Sequence, residues 1–314
     1  MFPNPFSDKI LKHFSKNAKF VVGFSGGPDS VFLATHFLKN WKPENLFLAH
    51  FNHDLRKNAE RDAQFCRDFA AKNGVEIVVE KWKNPQKSEK KARDARNAFL
   101  ENVRAAKNAD AIALGTHFDD SVETIFFNFV RGTGVRGLSG IAEFCERRRK
   151  FRPLLDLKKS EILTFLKNEK IPFCVDETNL ENDFARNFLR NLIFPKLEKK
   201  FPFFKKNLFR QRKIFAEIAD FLEKSADDFL KKIPEIAGEK RFLKRDFEKL
   251  PAAVKREICR KILQKKISFE KIDAILDFLK TGKSGKKMIF GGVEILISEK
   301  YFFVKNLFFK KNEK

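Results

Sequence analysis

Six consecutive residues near the start of the chain, Ser25 to Ser30, have the pattern of a phosphate-binding turn. They read Ser-Gly-Gly-Pro-Asp-Ser and lie between a short apolar run and an apolar-periodic segment, which predicts a strand, a tight turn and the start of a helix. Gly26 and Gly27 permit positive φ angles and close approach of a ligand. Asp29 and Ser30 fall at the predicted helix start, where short polar side chains cap free N–H groups. Because the turn directs several N–H groups and the positive end of a helix dipole at one point, it favours an anion, and a phosphate in particular.

This turn differs from the more common phosphate-binding loops. It has no G-x-G-x-x-G pattern, and it lacks the Gly-Lys-Ser/Thr ending that offers a lysine to a terminal phosphate. It instead resembles the pyrophosphate-binding loop of the N-type ATP pyrophosphatases, which split ATP between its α- and β-phosphates and pass AMP to an oxygen of a substrate. An ordinary strand–turn–helix corner with Asp29 as the N-cap is the alternative that the motif alone leaves open. A second short match, at 282–285, lacks the upstream glycine spacing of a Walker loop and is interpreted as a basic turn.

Polar side chains also follow two other predicted strands, at 46–51 and 111–114. They are His50, Asn52, His53 and Arg56 in the first group, and His117, Asp119, Asp120 and Glu123 in the second. Because parallel sheets bind ligands at the carboxyl ends of their strands, we expect both groups to surround the phosphate turn. Transfer of AMP needs a carboxylate for Mg²⁺, a cation beside the phosphorus and a base. Asp29 and Asp120 suit the metal or base roles, and Arg96 suits the cation, although each residue taken singly could be a cap or a satisfied turn residue.

Alternating strand and helix patterns over the first 200 residues indicate βαβ units and a parallel sheet. The predicted strands are 20–24, 46–51, 75–79 and 111–114, and the predicted helices are 58–73, 91–107, 116–131 (after a short loop), 158–170 and 183–200. A glycine-rich loop with two arginines is predicted over 131–140. We therefore predict an α/β fold with a doubly wound parallel sheet, in a catalytic domain that spans residues 1–200.

The pattern changes near residue 201, where a smaller and mostly helical C-terminal domain is predicted over 201–314. It comprises a long amphipathic helix over 203–230, further helix over 246–279 with a break at Pro251, and short strands over 286–309. This domain has 29 Lys and Arg residues against 16 Asp and Glu residues. Its positive charge suits a domain that docks nucleic acid.

The charge of the whole chain also favours a polyanionic partner. The formal net charge is +23 in 314 residues, and such a field attracts nucleic acid. The chain has 39 Phe and a single Tyr, as an A/T-rich genome would produce, so part of its lysine content is plain solvated surface. Most of the phenylalanines must form the core, because there are few other large apolar residues.

Cysteine usage and hydropathy exclude several classes of protein. The four cysteines, Cys66, Cys145, Cys174 and Cys259, are widely spaced and have no zinc spacing, so neither a disulfide framework nor a metal site is predicted. No apolar run approaches membrane-spanning length, and the N-terminus lacks the pattern of a signal peptide. We expect a soluble cytoplasmic protein with no membrane partner.

Five local segments occur in the order typical of one family. They are Ser25–Ser30; His50–Arg56, which reads His-Phe-Asn-His-Asp-Leu-Arg; His117–Thr124; Arg131–Gly134 with Gly137-Leu138; and Asp176–Asn179 with Arg186–Arg190. Together they resemble the tRNA(Ile)-lysidine synthetases of the PP-loop superfamily over about residues 19–200. The resemblance implies a ligase that uses ATP and Mg²⁺ to adenylate the C2 oxygen of the wobble cytidine in tRNA(Ile) with the anticodon CAU. Free L-lysine then attacks C2 and expels AMP, which leaves lysidine.

The resemblance also implies roles for single residues. ATP would be bound by Ser25, Gly26, Gly27, Pro28, Asp29, Ser30, His50 and Asn52. The catalytic residues would be Asp29, Arg96 and Asp120, with Asp29 also the Mg²⁺ ligand. The tRNA or the substrate would be bound by Arg56, Arg93, His117, Arg131, Arg186 and Arg190. The chain departs from the family pattern at Asn97, at Thr116 and at Glu177-Thr178, so no role is assigned at those positions.

Three other functions compete with this interpretation. A tRNA cytidine or uridine thiolation enzyme shares the loop, but it would normally use a cysteine pair or cluster to carry sulfur or an Fe–S centre. A small-molecule amidating ligase would not need the positive charge. An inactive RNA-binding module would tolerate the loss of Asp29 and Asp120, and both are present. The oligomeric state is left open by the sequence, a homodimer being one expectation.

Overall fold

The computed structural model describes residues 5–53, 59–83, 88–175, 185–236, 238–263 and 267–307. The chain divides into two compact units, Met1–Lys213 and Ile214–Lys314. The division falls inside one long helix, α10 (Phe204–Leu230), whereas the predicted domain boundary at residue 200 precedes that helix. In the described part of the chain, no helix combines the length and the apolar character needed to cross a bilayer.

A six-stranded sheet forms the centre of the first unit, with the strand order β3-β2-β1-β4-β6-β5. Its strands are β1 (Phe20–Gly23), β2 (Leu46–Asn52), β3 (Glu76–Lys81), β4 (Ala111–Ala113), β5 (Phe144–Cys145) and β6 (Lys150–Phe151). All neighbouring strands pair in parallel except β5 and β6. The chain runs outward from β1 to β2 and β3 and then crosses to β4, so the carboxyl ends of β1 and β4 flank the point where the strand order reverses.

Helices cover both faces of this sheet, because successive residues of a strand point to opposite sides. Phe20 and Val22 lie in a core with residues of α1 (Pro5–His13), α2 (Pro28–Asn40), α3 (Ala59–Lys72) and a later helix. Val21, between them, lies in a second core with Phe99, Leu100 and Val103 of α4 (Glu89–Ala106). The predicted doubly wound α/β fold is confirmed.

The helices that follow β4 carry most of the candidate site. They are α5 (Phe118–Val130), α6 (Val135–Leu138), α7 (Lys159–Asn168), α8 (Ala185–Phe188) and α9 (Phe194–Lys200). The predicted loop over 131–140 therefore contains one helical turn. A regular helix over 183–200 is wrong within the described residues, since Leu189–Ile193 is π-helical. Pro195, just beyond it, has no N–H to donate to a regular α-helical ladder.

The second unit packs an antiparallel sheet against helices. Its strands, in the order β7-β8-β11-β10-β9, are β7 (Glu235–Ile236), β8 (Glu239–Leu243), β9 (Lys287–Phe290), β10 (Val293–Ile297) and β11 (Tyr301–Asn306). Its shorter helices are α11 (Lys244–Glu248), α12 (Ala252–Leu263) and α13 (Phe269–Thr281). The strand-rich end is confirmed, but β7 and β8 were not predicted. The only fully buried residue of β8 is Phe242, which stacks on Phe302 at 4.6 Å between ring centroids, so the strand shows no apolar alternation.

Candidate active site

The turn between β1 and α2 is held by its own two serines. The Ser25 amide donates to Ser30 Oγ at 3.1 Å, and Ser30 Oγ donates to the Gly27 carbonyl at 2.9 Å. Gly27 is the N-cap of α2 and Pro28 follows it, so the prediction that Asp29 and Ser30 cap the helix is wrong. The first-turn N–H groups of α2 are therefore not covered by an aspartate side chain. This arrangement suits a turn that binds phosphate through its backbone.

Gly26 must be glycine for two independent reasons. Its φ angle is +79°, in the region that favours glycine, and a Cβ at this position would lie 3.2–3.3 Å from Phe65, Cys66 and Cys174. The Gly26 carbonyl also accepts a hydrogen bond of 2.8 Å from the Cys174 amide. The turn is thus supported from behind by α3 and by the segment that follows α7.

Two carboxylates and one imidazole, those of Asp29, Asp120 and His117, form an acidic cluster where β1 and β4 end. His117 Nε2 lies 3.7 Å from Asp29 Oδ1 and 3.5 Å from Asp120 Oδ2. The Asp120 carboxylate also accepts the His117 amide at 3.1 Å, which fixes it over the first turn of α5. Gly115 permits this meeting, because a Cβ there would lie only 2.9 Å from the Asp29 backbone. The predicted convergence of Asp29, His117 and Asp120 is present in the structure.

Two lysines from distant segments pair with these carboxylates. Lys159 Nζ, at the start of α7, lies 2.6 and 2.7 Å from the two oxygens of Asp29. The Lys159 amide donates to Asp119 Oδ2 at 3.0 Å, and Lys205 Nζ lies 3.3 Å from Asp119 Oδ1. Burial alone would raise the pKa of Asp119, but the Lys159 amide and the Lys205 ammonium outweigh it, so the pKa lies below its ordinary value. Asp119 is therefore a structural carboxylate that ties α7 and α10 to the start of α5.

Arg190 is oriented by a buried glutamate one turn into α5. Its Nε and Nη2 atoms lie 2.6 and 2.8 Å from the two carboxylate oxygens of Glu123. The hydrogen bonds that Arg190 donates to Glu123 raise the pKa of Arg190, and Asp120 adds to the effect from 3.8 Å. Leu189 and Phe194 pack with residues of α5 on the same side. This packing fixes the π-helical segment so that Arg190 faces the acidic cluster.

Two further arginines with predicted tRNA roles share one aromatic ring. The guanidinium of Arg131 lies 5.2 Å from the centroid of Phe127, and that of Arg186 lies 5.7 Å from it. Phe129 and Val130, in the last turn of α5, are exposed. Arginines held on an aromatic ring beside exposed apolar groups form a surface suited to an unstacked base or a phosphate.

The remaining predicted residues in the described part of the chain lie on α4 and on β2. Arg93 and Arg96 lie on α4, and among the described residues neither forms a hydrogen bond or ion pair with Asp29 or Asp120. His50 is buried behind the turn, where its Nδ1 donates to the Phe24 carbonyl at 2.9 Å.

Burial lowers the pKa of His50, so its neutral form supports the turn. Asn52 is also buried, at the end of β2, and its side chain donates to the Ala59 carbonyl at 3.3 Å. Arg56 lies outside the described residues, as does the predicted turn at 176–179.

Sequence reasoning assigned no role to Lys159 or Lys205, and it named Glu123 without one. The rule that ligands bind at the carboxyl ends of parallel strands also indicates Lys159, since it is the first residue of the helix that follows β6. Lys205 had no such signal, because it belongs to a helix that the sequence assigns to another domain.

Two cysteines meet beside the turn although they are far apart in the chain. Cys66 Sγ and Cys174 Sγ each lie 3.3 Å from the place that a Cβ on Gly26 would occupy. Both thiols are free. Burial raises the pKa of Cys66 well above its ordinary value, and burial followed by the Asp62 carboxylate raises that of Cys174 to about 11. Since the thiolate is the reactive form, this pair is poorly suited to carry sulfur.

Comparison with known proteins identifies relatives over most of the first unit. The model of the PP-loop domain matches residues 4–197. The tRNA(Ile)-lysidine synthase of Pseudothermotoga lettingae is 38% identical over 189 residues, which are 57% of this chain and 42% of that protein. The tRNA(Ile)-lysidine synthase of Lactobacillus johnsonii is 30% identical over 309 residues, which are 93% of this chain and 68% of that protein. The chain thus spans less than half the length of the Pseudothermotoga protein and about two thirds of the Lactobacillus protein.

One solved structure shares the fold at low identity. The U34-tRNA thiolase of Methanococcus maripaludis, solved with a 4Fe-4S cluster, superimposes with a TM-score of 0.55 and 18% identity. The match covers 67% of this chain and 77% of the thiolase. At this identity the likeness shows the fold alone.

Proposed function

This chain belongs to the tRNA(Ile)-lysidine synthase family of PP-loop proteins, and we propose that it joins free L-lysine to the wobble cytidine of a tRNA(Ile) with the anticodon CAU. In the proposed reaction the C2 oxygen of the cytidine attacks the α-phosphate of ATP, and pyrophosphate leaves. The amino group of lysine then attacks C2, gives up a proton and expels AMP. The product is lysidine.

One juxtaposition carries this proposal. The turn Ser25–Ser30, the carboxylate of Asp120 and the guanidinium of Arg190 come from three separate segments and meet where β1 and β4 end. The turn would hold the phosphates of ATP through its backbone N–H groups. Asp120 would accept a proton from the nucleophile, and Arg190, held by Glu123, would balance the negative charge that develops beside it.

Asp29 suits the role of the magnesium ligand. Mg²⁺ prefers oxygen donors and is usually held by one or two carboxylates together with phosphate oxygens and water. In the described ranges no group of three or more His, Cys, Asp or Glu residues could hold a metal by itself, so Asp29 would act together with the phosphates of ATP. Bound Mg²⁺ would balance the charge on those phosphates.

The tRNA would approach the side of the site that carries Arg131 and Arg186. Both arginines lie on the Phe127 ring, near the exposed residues Phe129 and Val130. A wobble base sits in a single-stranded loop, so it can leave its stack at a cost of a few kcal/mol. The positive charge of the chain would attract the tRNA backbone without reading its sequence.

The proposal is tested by incorporation of radiolabelled lysine. We expect the purified chain, with ATP and Mg²⁺, to transfer label to tRNA(Ile) with the anticodon CAU and not to the same tRNA with a GAU anticodon. Binding of ATP without transfer of label to the tRNA would refute the lysidine function. Release of pyrophosphate only when a sulfur donor replaces lysine would point to thiolation instead.

A further inference from the structure

The phosphate turn has no lysine of its own, but the fold brings one to it. Among the described residues, the side-chain cation nearest to Asp29 is Lys159, which is 130 residues away in the sequence. Lys159 is the first residue of α7, and α7 follows β6, the neighbour of β4 in the sheet. Its ammonium therefore lies at the same sheet edge as the turn. In common phosphate-binding loops a lysine from the loop itself supplies this charge.

Several contacts hold Lys159 in this position. Its backbone N–H donates to Asp119 Oδ2 at 3.0 Å, which fastens the start of α7 to the start of α5. Further along α7, Ile162 and Leu166 are fully buried in the core of the first unit. Phe165 packs edge-on against Phe32 of α2, with the ring centroids 5.0 Å apart. The backbone that carries the lysine is thus fixed to the helix that carries Asp29.

The ammonium can act on more than Asp29. A lysine ammonium has three N–H donors, and the two oxygens of Asp29, at 2.6 and 2.7 Å, engage two of them. The Lys159 side chain is about one third exposed, so its tip is open to a ligand. Because Asp29 stands in the first turn of α2, the ammonium also lies beside the N–H groups that the turn directs at an anion.

We propose that Lys159 is a phosphate-binding residue, which supplies to the pyrophosphate half of ATP the positive charge that the turn lacks. This inference rests on the proposed use of ATP. The lysine would bind the β- and γ-phosphates and stay with the leaving pyrophosphate, whereas AMP would be held by other groups. The competing role is purely structural, in which Lys159 does no more than neutralise Asp29.

The two roles are separated by measuring the affinity of Lys159→Met for three ligands by calorimetry. The ligands are α,β-methylene-ATP, which cannot be split at the α–β bond, inorganic pyrophosphate and AMP, each with Mg²⁺. Loss of one charge-assisted hydrogen bond should lower the affinity for the ATP analogue and for pyrophosphate about 10- to 100-fold, and the affinity for AMP less than twofold. Lys159→Arg should recover part of the loss. Lys158→Met, at the exposed neighbouring position, is the matched control and should bind all three ligands as the wild type does.

A second measurement removes Asp29 from the comparison. In an Asp29→Asn background with EDTA present, adding Lys159→Met should still lower the affinity for pyrophosphate at least tenfold if the lysine binds phosphate. Unchanged pyrophosphate affinity in that background, or an equal loss for ATP analogue, pyrophosphate and AMP in the first experiment, would overturn the inference. Failure of the wild-type chain to bind the ATP analogue at all would instead refute the proposed use of ATP. Equal thermal midpoints for Lys159→Met and Lys158→Met would show that the losses are not due to unfolding.

Discussion

Replacing Arg190 with methionine should destabilise the first unit strongly, because it leaves a buried carboxylate without its partner. The Glu123 side chain is only 4% exposed, and both of its oxygens are bonded to Arg190, at 2.6 and 2.8 Å. Breaking a buried pair by removing one partner costs about 3–5 kcal/mol. The reverse change, Glu123→Gln, leaves an arginine whose side chain is 40% exposed and has Asp120 at 3.8 Å, so its cost should be about 1–2 kcal/mol.

The quantity to measure is the difference between the free energies of unfolding lost in Arg190→Met and in Glu123→Gln. Both tryptophans, Trp41 and Trp82, lie in the first unit, so urea unfolding followed by tryptophan fluorescence reports that unit alone. We expect the double variant Glu123→Gln/Arg190→Met to be more stable than Arg190→Met alone, with a coupling free energy of about 2 kcal/mol.

The matched control is Arg186→Met, one turn earlier in the same region. Its guanidinium lies on the Phe127 ring rather than on a buried carboxylate, so the loss should stay below about 1 kcal/mol. Equal costs for Arg190→Met and Glu123→Gln, or additive costs in the double variant, would refute the reasoning that Glu123 is a buried charge dependent on Arg190.

Three other predictions concern catalysis, tRNA binding and pH. Asp120→Asn should abolish lysine transfer while tRNA binding, measured by filter retention, stays within about threefold of the wild type; an equal loss of both would mean that Asp120 is structural. The affinity for tRNA should fall steeply and linearly on a logarithmic scale of salt concentration, and a flat dependence would contradict binding through phosphate contacts. Burial, followed by the charges of Arg152, Arg148 and Arg96, lowers the pKa of Lys150 to about 8. Above pH 8 the Lys150 side chain is therefore more protonated in the unfolded chain than in the folded chain, so the folded state gains stability as the pH rises. The free energy of unfolding of the wild type, relative to that of Lys150→Met, should rise by about 2 kcal/mol from pH 7.5 to 9.5 in urea unfolding. A pH-independent difference between the two would show that Lys150 titrates normally.

The sequence alone predicted the strands β1 to β4, the helices that alternate with them and the chemistry of the turn. These strands are short apolar runs, these helices have apolar residues at helical spacing, and Ser-Gly-Gly-Pro-Asp-Ser is a local signal that requires no distant partner. The alternation of these elements predicts a parallel sheet, and the carboxyl ends of its strands predict where Asp29, His117 and Asp120 meet. Each of these strand, helix and turn patterns lies within a short segment of the sequence, and their order along the chain supplies the rest.

Only the tertiary structure decided which charges pair. Lys159 reaches Asp29 across 130 residues, and Arg190 reaches Glu123 across 67 residues. A lysine at the start of a helix and a glutamate within one carry no local sign of their partners, because the pairing depends on strand order and on how α7 and the π-helical segment pack.

The sequence also cannot show whether Arg96 reaches the site. Its type and spacing suit charge balancing, but among the described residues it forms no hydrogen bond or ion pair with Asp29 or Asp120, so that role stays a prediction. The sequence thus shows which residue types are suited to bind a polyphosphate. The position of β6 next to β4 determines which cation lies beside Asp29.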